Sequence, residues 1–395
     1  MLAKSNALMR DRGNHERLTL RRNAWRVAAA GVSAVALVSL AACSSSSKSA
    51  SSTGSAAGAN VTAAQSAIAP YLVAPTVFPA GDPLPSKLPA GKNFVFLQCA
   101  TPICAVTEKL TAAAVGAIGG KMTAINVGIT AQTAQAGASS ALALKPDAVI
   151  LGAIDPSLFG TGLKALSDAG VKLVSLQIDK DVTPYGITFN YLGTDLSQKN
   201  GKLMADWVIA NKGAQTNTVL YTLPALDLSA PLQAAFQAEM KSNCAACKVR
   251  VVPLDAASIG TTAPRTIVTD LQAHTGTNAA VFVSLSAAAG LPAALSAAGL
   301  SVSTIGFGPA AANLQDIKDG KITAALATSF PVSTWTSVDI AARLIEGAQP
   351  TASEKAGEVP EQILEQKDIT FDPSTGWLGF NDFAQRFATI WHTTS

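Results

Sequence analysis

From Asn93 onward, short β-branched and apolar runs alternate with segments of helical period, and the alternation runs through twice. Strands are expected at Asn93 to Gln98, Met122 to Val127, Ala148 to Leu151, Lys172 to Gln177 and Gly186 to Tyr191. Between and after them lie helix-period stretches from about Ala105 to Ala117, Ala134 to Leu144, after Asp155-Pro156, and Ser197 to Ala210. The rhythm then restarts, with strands at Thr218 to Thr222, Val249 to Pro253, Ala280 to Val283 and Ser303 to Phe307. Helices are expected around Pro231 to Ser242, Pro264 to His274, Leu291 to Ala298 and Ala311 to Asp319. Strands joined by helices lie parallel and need helices on both faces, so the chain reads as α/β with two doubly wound parallel-sheet lobes. Ligands of such sheets settle at the carboxyl ends of the strands, and two such edges facing each other form a cleft.

The flanks are of different character. Ser44 to Asn60 is a Ser/Ala/Gly tether that cannot bury enough surface to fold. Residues 61–92 begin with a helix-like piece, Ala63 to Leu72, and continue through Pro75, Pro79, Pro83, Pro85 and Pro89, so this extension is expected to run along the main domain in extended form. Trp377, Phe380, Phe383, Phe387 and Trp391 form an aromatic tail, residues 374–395, that is expected to dock onto a lobe.

Charged residues make up 14% of the chain and the net charge is +3, with no basic cluster after the first arginines, so nucleic acid is not an expected partner. No Gly-x-Ser-x-Gly elbow, phosphate loop or Gly-x-Gly-x-x-Gly turn is present, which argues against an enzyme, and no cofactor or metal is expected. Besides Cys43 there are two close cysteine pairs, Cys99 with Cys104 and Cys244 with Cys247. Two local disulfides are the simplest reading, although four cysteines allow three connectivities and Cys244-Ala-Ala-Cys247 also has redox spacing. A redox pair opens a helix, whereas this one ends an apparent helix.

Leu40-Ala41-Ala42-Cys43 follows a basic segment and the uncharged run Val27 to Ala42, and resembles the lipobox of bacterial lipoproteins. The resemblance implies a signal peptide over 1–42, acylation of Cys43, a tether over 43–60, and a domain held to the outer face of the cell membrane by lipid alone. Arg21-Arg22 lacks the hydrophobic residues that follow it in a twin-arginine signal.

Several phrases occur in a fixed order: Phe96-Leu97-Gln98 before Thr101-Pro102-Ile103; Leu144-Lys145-Pro146-Asp147 leading into Ala148; Ala153-Ile154-Asp155-Pro156; Ala169-Gly170-Val171-Lys172; Ile305-Gly306-Phe307; Ile317-Lys318-Asp319-Gly320-Lys321-Ile322; and Ala342-Arg343-Leu344-Ile345-Glu346-Gly347. Together they resemble the type I periplasmic binding proteins of the ribose and galactose kind, receptors of sugar ABC transporters. The resemblance implies a three-crossing hinge, placed near Leu192 to Asp195, Ser329 to Pro331 and Val359 to Glu361. Lobe 1 would then hold 93–193 and 330–358, and lobe 2 would hold 194–329 and 359–373. It also implies a small-molecule ligand, an ABC permease partner and a monomer, and it likens the loop between Cys99 and Cys104 to a disulfide-bearing ligand loop.

Where that family holds hydroxyls with charged forks, this chain has Gln177-Ile178 after the third strand, Leu285-Ser286 after Phe282, Gly308 after Phe307, and Ser329 at the hinge. The candidate ligand residues are Gln98, Thr101, Asp155, Gln177, Asp179, Asn190, Asp227, Ser286, Phe330 and Trp335. A charge-poor cleft is expected, suited to a ligand that is sugar-like or less polar than ribose. Asp155 also reads as a helix cap, Asn190 and Asp227 as turn formers, and Trp335 as core packing. The competing function is a surface lipoprotein acting as a sensor or scaffold with a degenerate cleft.

Overall fold

The computed structural model describes residues 58–99, 102–128, 130–152 and 154–394. Cys43, the signal segment, most of the tether and Thr101 lie outside the described residues. A short helix, α1 (Val61–Ile68), precedes the first strand, and β1 (Asn93–Gln98), β2 (Lys121–Asn126), β3 (Ala148–Leu151), β4 (Lys172–Leu176) and β5 (Phe189–Tyr191) follow in chain order. These five strands form one all-parallel sheet in the order β2-β1-β3-β4-β5.

Because successive strand residues point to opposite faces, β1 feeds two cores. Phe94 and Phe96 enter one core with Ile150, Val174 and Leu176. Val95 and Leu97 enter the other, which is covered by α3 (Ala131–Ala143) and α4 (Gly162–Asp168). The first core is covered by α2 (Pro102–Ala117) and by a helix from far along the chain, α10 (Phe330–Ile345).

The second sheet has the order β7-β6-β8-β9, again all parallel, from β6 (Asn217–Thr222), β7 (Lys248–Pro253), β8 (Ala279–Phe282) and β9 (Ser303–Gly306). Its helices are α5 (Thr194–Lys212), α6 (Ser229–Asn243), α7 (Ala263–Ala273), α8 (Leu291–Ala297) and α9 (Ala311–Lys318). The alternation of the sequence foresees these strands to within a residue or two. It does not foresee β10 (Ala324–Thr328) and β11 (Glu361–Glu365), an antiparallel pair joined to the second sheet by a bridge from Phe307 to Leu326. The α5–α6 contact is close because of Gly201: a Cβ there would collide with the Leu232 carbonyl oxygen and stand 3.0 Å from the Phe236 amide nitrogen.

Three passages of chain connect the two sheets: from β5 to α5, from β10 to α10, and from α11 (Ala352–Lys355) to β11. They are bonded to each other. The Tyr191 hydroxyl donates to the Glu358 carbonyl at 2.6 Å, and the Ser329 amide donates to the Pro360 carbonyl at 2.8 Å. Lys199 forms an ion pair there with the buried Glu361.

The aromatic tail divides between two destinations. Trp377 packs on the core of the second sheet. Phe387 and Trp391, with α12 (Phe383–Ile390), complete the core around α10. Cys99 stands against Cys104 and Cys244 against Cys247 at disulfide distance, with Cα separations of 5.6 and 5.3 Å.

Candidate functional site

The carboxyl ends of the two sheets meet around one side chain, Lys180. Its ammonium lies 2.6 Å from Asp155, which follows β3, and 3.5 Å from Asp227, in the loop between β6 and α6. The first residue belongs to one lobe and the second to the other, so a single cation is shared across the cleft.

The turn after β4 makes this possible. Gln177 has φ of 59°, a left-handed conformation uncommon outside glycine, and its amide donates to the Tyr191 carbonyl at 2.9 Å. Asn190 then clamps the next residue: its Nδ2 donates to the Ile178 carbonyl at 2.8 Å, and its Oδ1 accepts from the Ile178 amide at 3.4 Å and from Ser175 Oγ at 2.8 Å. These bonds commit the Asn190 side chain to the clamp. The chain leaves it pointing Asp179 and Lys180 toward the opposite lobe.

Asp179 accepts from Ser197 Oγ at 3.2 Å, while its Oδ1 is buried with no hydrogen-bond partner among the described residues. Burial holds its carboxyl above the usual aspartate range; hydrogen bonds from Ser197 and Thr194 oppose the rise, and nearby Asp227 adds to it. Asp155 is held below its ordinary value, because burial is outweighed by the bonds from Lys180 and from Ser157. It also caps the short helical turn Pro156–Phe159, accepting from the Ser157 amide at 3.0 Å.

The expectation of a charge-poor cleft is therefore corrected: Asp155, Asp179, Lys180 and Asp227 gather at one place. Gln177-Ile178 carry no charge, and Asp179-Lys180 follow directly after the clamped left-handed turn. Lys180 has no motif of its own. Its position directly after Asp179 at the end of an apolar strand is the signal that could have found it.

The other candidates are distributed as follows. Gln98 ends β1 and is half-buried, with its carbonyl accepting from the Val127 amide at 2.8 Å. Ser286 follows β8, half-buried, and its hydroxyl lies 2.8 Å from that of Ser284. Phe330 opens α10 at the second crossing and is half-buried. Trp335 is committed elsewhere: its ring stacks on Trp391 at 5.4 Å and meets Phe383 edge-on at 5.1 Å, in the core of the first lobe. No aromatic sandwich in the cleft is built from it.

A periplasmic binding protein domain model matches residues 100–349. Among solved structures, a periplasmic ribose ABC transporter protein from Conexibacter woesei is similar at 15% identity and TM-score 0.60, over 72% of this chain and 94% of that one. A myo-inositol binding protein from Caulobacter, solved with myo-inositol, is similar at 19% identity and TM-score 0.59, over 73% and 96%. A proposed LacI transcriptional regulator from Bacteroides fragilis shares the fold at 14% identity and TM-score 0.58, over 71% and 98%. No curated protein shows significant sequence similarity to the chain.

Proposed function

We propose that this chain, which belongs to the periplasmic binding protein family and is a solute binder rather than an enzyme, holds a sugar or cyclic polyol between its lobes and hands it to an ABC permease. The observation that carries the reading is the Lys180 ammonium held between Asp155 of one lobe and Asp227 of the other. Carboxylates accept, and an ammonium donates, several directional hydrogen bonds, which suits vicinal hydroxyls. Asp179, with a buried oxygen lacking a partner, is the strongest acceptor for such a ligand. Gln98, Gln177, Ser286 and Phe330 would complete the wall, and Asn190 would act through the turn it clamps. The names of the ribose and myo-inositol relatives support this solute class over a less polar one.

Closure supplies the mechanism. A ligand that binds the closed form better than the open form shifts the lobes toward closure, and the permease can then distinguish loaded from empty protein by shape. Acylation at Cys43, followed by the Ser/Ala/Gly tether, would keep the receptor beside its transporter outside the cytoplasm, an address that suits the two paired cysteine sets. A sensor reading, in which closure is read by another protein instead of a permease, uses the same cleft.

Titration calorimetry with myo-inositol, D-ribose and D-galactose tests the assignment on Lys180→Met beside the wild type. Losing a charged hydrogen-bonding group costs about 1.5–3 kcal/mol of binding, a drop of roughly 10- to 100-fold in affinity. Melting temperature should hardly move, because Lys180 is 43% exposed and its ion pairs are solvent-screened. Unchanged affinity for a sugar that binds the wild type would remove Lys180 from the site.

A further inference from the structure

Residues 58–92 precede the matched domain, which begins at residue 100. The segment nevertheless has buried anchors on both lobes. On the second lobe, α1 packs on α5 and α6, buries Ala64 and Ile68 in the core with Trp207, and fixes its start by the Asn60 amide donating to the Asn243 carbonyl at 2.7 Å. On the first lobe, Ala80, Leu84 and Leu88 are buried with Phe387 and Trp391. There the Leu84 amide donates to the Ile390 carbonyl at 2.8 Å, and the Leu84 carbonyl lies 2.9 Å from His392 Nε2. Phe78 meets Phe380 and Phe387 edge-on at 5.3 and 5.2 Å.

The firmest anchor is electrostatic. Arg343 of α10 is 4% exposed, and its guanidinium donates to the backbone carbonyls of Asp82 and of Pro83, the latter at 3.2 Å. Asp339 at 2.9 Å and Glu354 at 3.5 Å neutralise it. A buried guanidinium whose remaining donors go to the extension makes that segment part of the lobe rather than a loose leader.

Between the anchors, the chain passes over the hinge. Tyr71, Pro75, Val77 and Pro79 line a groove of about 310 Å³ whose other wall is Lys199 and residues 358–361, the third crossing. Lys199, paired with Glu361, lies 5.9 Å from the Tyr71 ring centre. We propose that residues 58–92 are a strap, a fourth connection between the lobes that restrains the angle through which the cleft opens. From Leu72 to Phe78 the chain can span on the order of 20 Å at most, and proline stiffens it further, so the anchors cannot part freely. A restraint of this kind biases the open–closed equilibrium without touching the ligand, and it stands whatever the cleft holds.

The test cuts the strap after folding. A recognition sequence for a site-specific protease replaces residues within 72–77 one for one, so that the segment keeps its length; Val73 there is 60% exposed and Val77 75%. Spin or dye labels are placed by Thr161→Cys and Ala257→Cys, one on each lobe. Complete cleavage should shift the ligand-free interlobe distance distribution to longer values and broaden it, with the helical signal unchanged. The same distribution before and after verified cleavage overturns the proposal. Loss of the helical signal on cutting overturns it too, since the segment would then be needed for folding rather than for restraint.

Discussion

Replacing Trp391 by alanine should lower the melting temperature by roughly 10 °C, the loss expected when about 3–5 kcal/mol is removed from a core of this size. Trp391 is fully buried, stacks on Trp335 with ring planes 9° apart, and touches Phe387 at 5.0 Å between ring centres. Its indole nitrogen donates to Asp339 Oδ1 at 2.6 Å, deep in the same core. Two losses therefore coincide: a large cavity opens, and a buried carboxylate oxygen loses a donor. Trp391→Phe separates them, because it keeps most of the ring volume and removes only the donor, at about 1–3 kcal/mol. Thermal melts of both variants read the difference. Equal melting temperatures for Trp391→Ala and wild type would mean that the tail does not complete the first lobe.

Arg343→Met should be nearly as damaging, and its cost should depend on pH. Removing one partner of a buried ion pair costs about 3–5 kcal/mol, because the charges left behind have no compensation. Here two carboxylates are left, Asp339 and Glu354, and the strap loses its donors to Asp82 and Pro83. Burial, and then the neighbouring Asp339, already hold Glu354 above the ordinary glutamate range in the intact protein.

A carboxyl raised in this way stabilises the fold fully below its unfolded value near 4.5, and loses that contribution as the pH rises toward its folded value. Asp206 acts in the same direction, pushed up to about 7 by burial and by Glu239. Wild type should accordingly melt higher at pH 5.5 than at pH 8.5. Arg343→Met should show a steeper fall over that interval, because only protons remain to neutralise the pair. Denaturant melts at the two pH values check both statements, and a variant whose deficit is the same at each would contradict the account of the buried cluster.

Most of the sheet architecture is legible in the residues, and the exceptions are physical. Phe94 to Leu97 alternates between two apolar cores and so reads plainly as a doubly covered strand. β10 does not, because Ala324-Ala325-Leu326-Ala327 carries no strand propensity; it is a strand through its pairing with β11, whose residues lie more than thirty positions later. α10 is buried nearly all round, its polar residues Ser333, Thr334, Ser337 and Asp339 included, so its burial does not follow the one-sided pattern of a surface helix. Pro75 to Pro89 announces an extended chain, yet proline content says nothing of which surfaces that chain will touch.

The site was legible in part for a similar reason. Asp155, Asp179 and Asp227 stand after strands, where cleft residues belong. Lys180 enters only because Gln177 turns left-handed and Asn190 clamps Ile178, a tertiary arrangement that no local pattern encodes. Trp335, by contrast, sits within α10, and its indole packs against Phe383, Phe387 and Trp391 in the core.

The central claim is that the charged cluster at the strand ends binds a hydroxylated solute. Calorimetric titration of residues 58–395 with a panel of free sugars and cyclic polyols, beside Asp179→Asn, tests it most directly. Saturable binding of one or more of them, weakened at least tenfold in Asp179→Asn, is the predicted result. No heat of binding across the panel, or binding indifferent to Asp179, would contradict it.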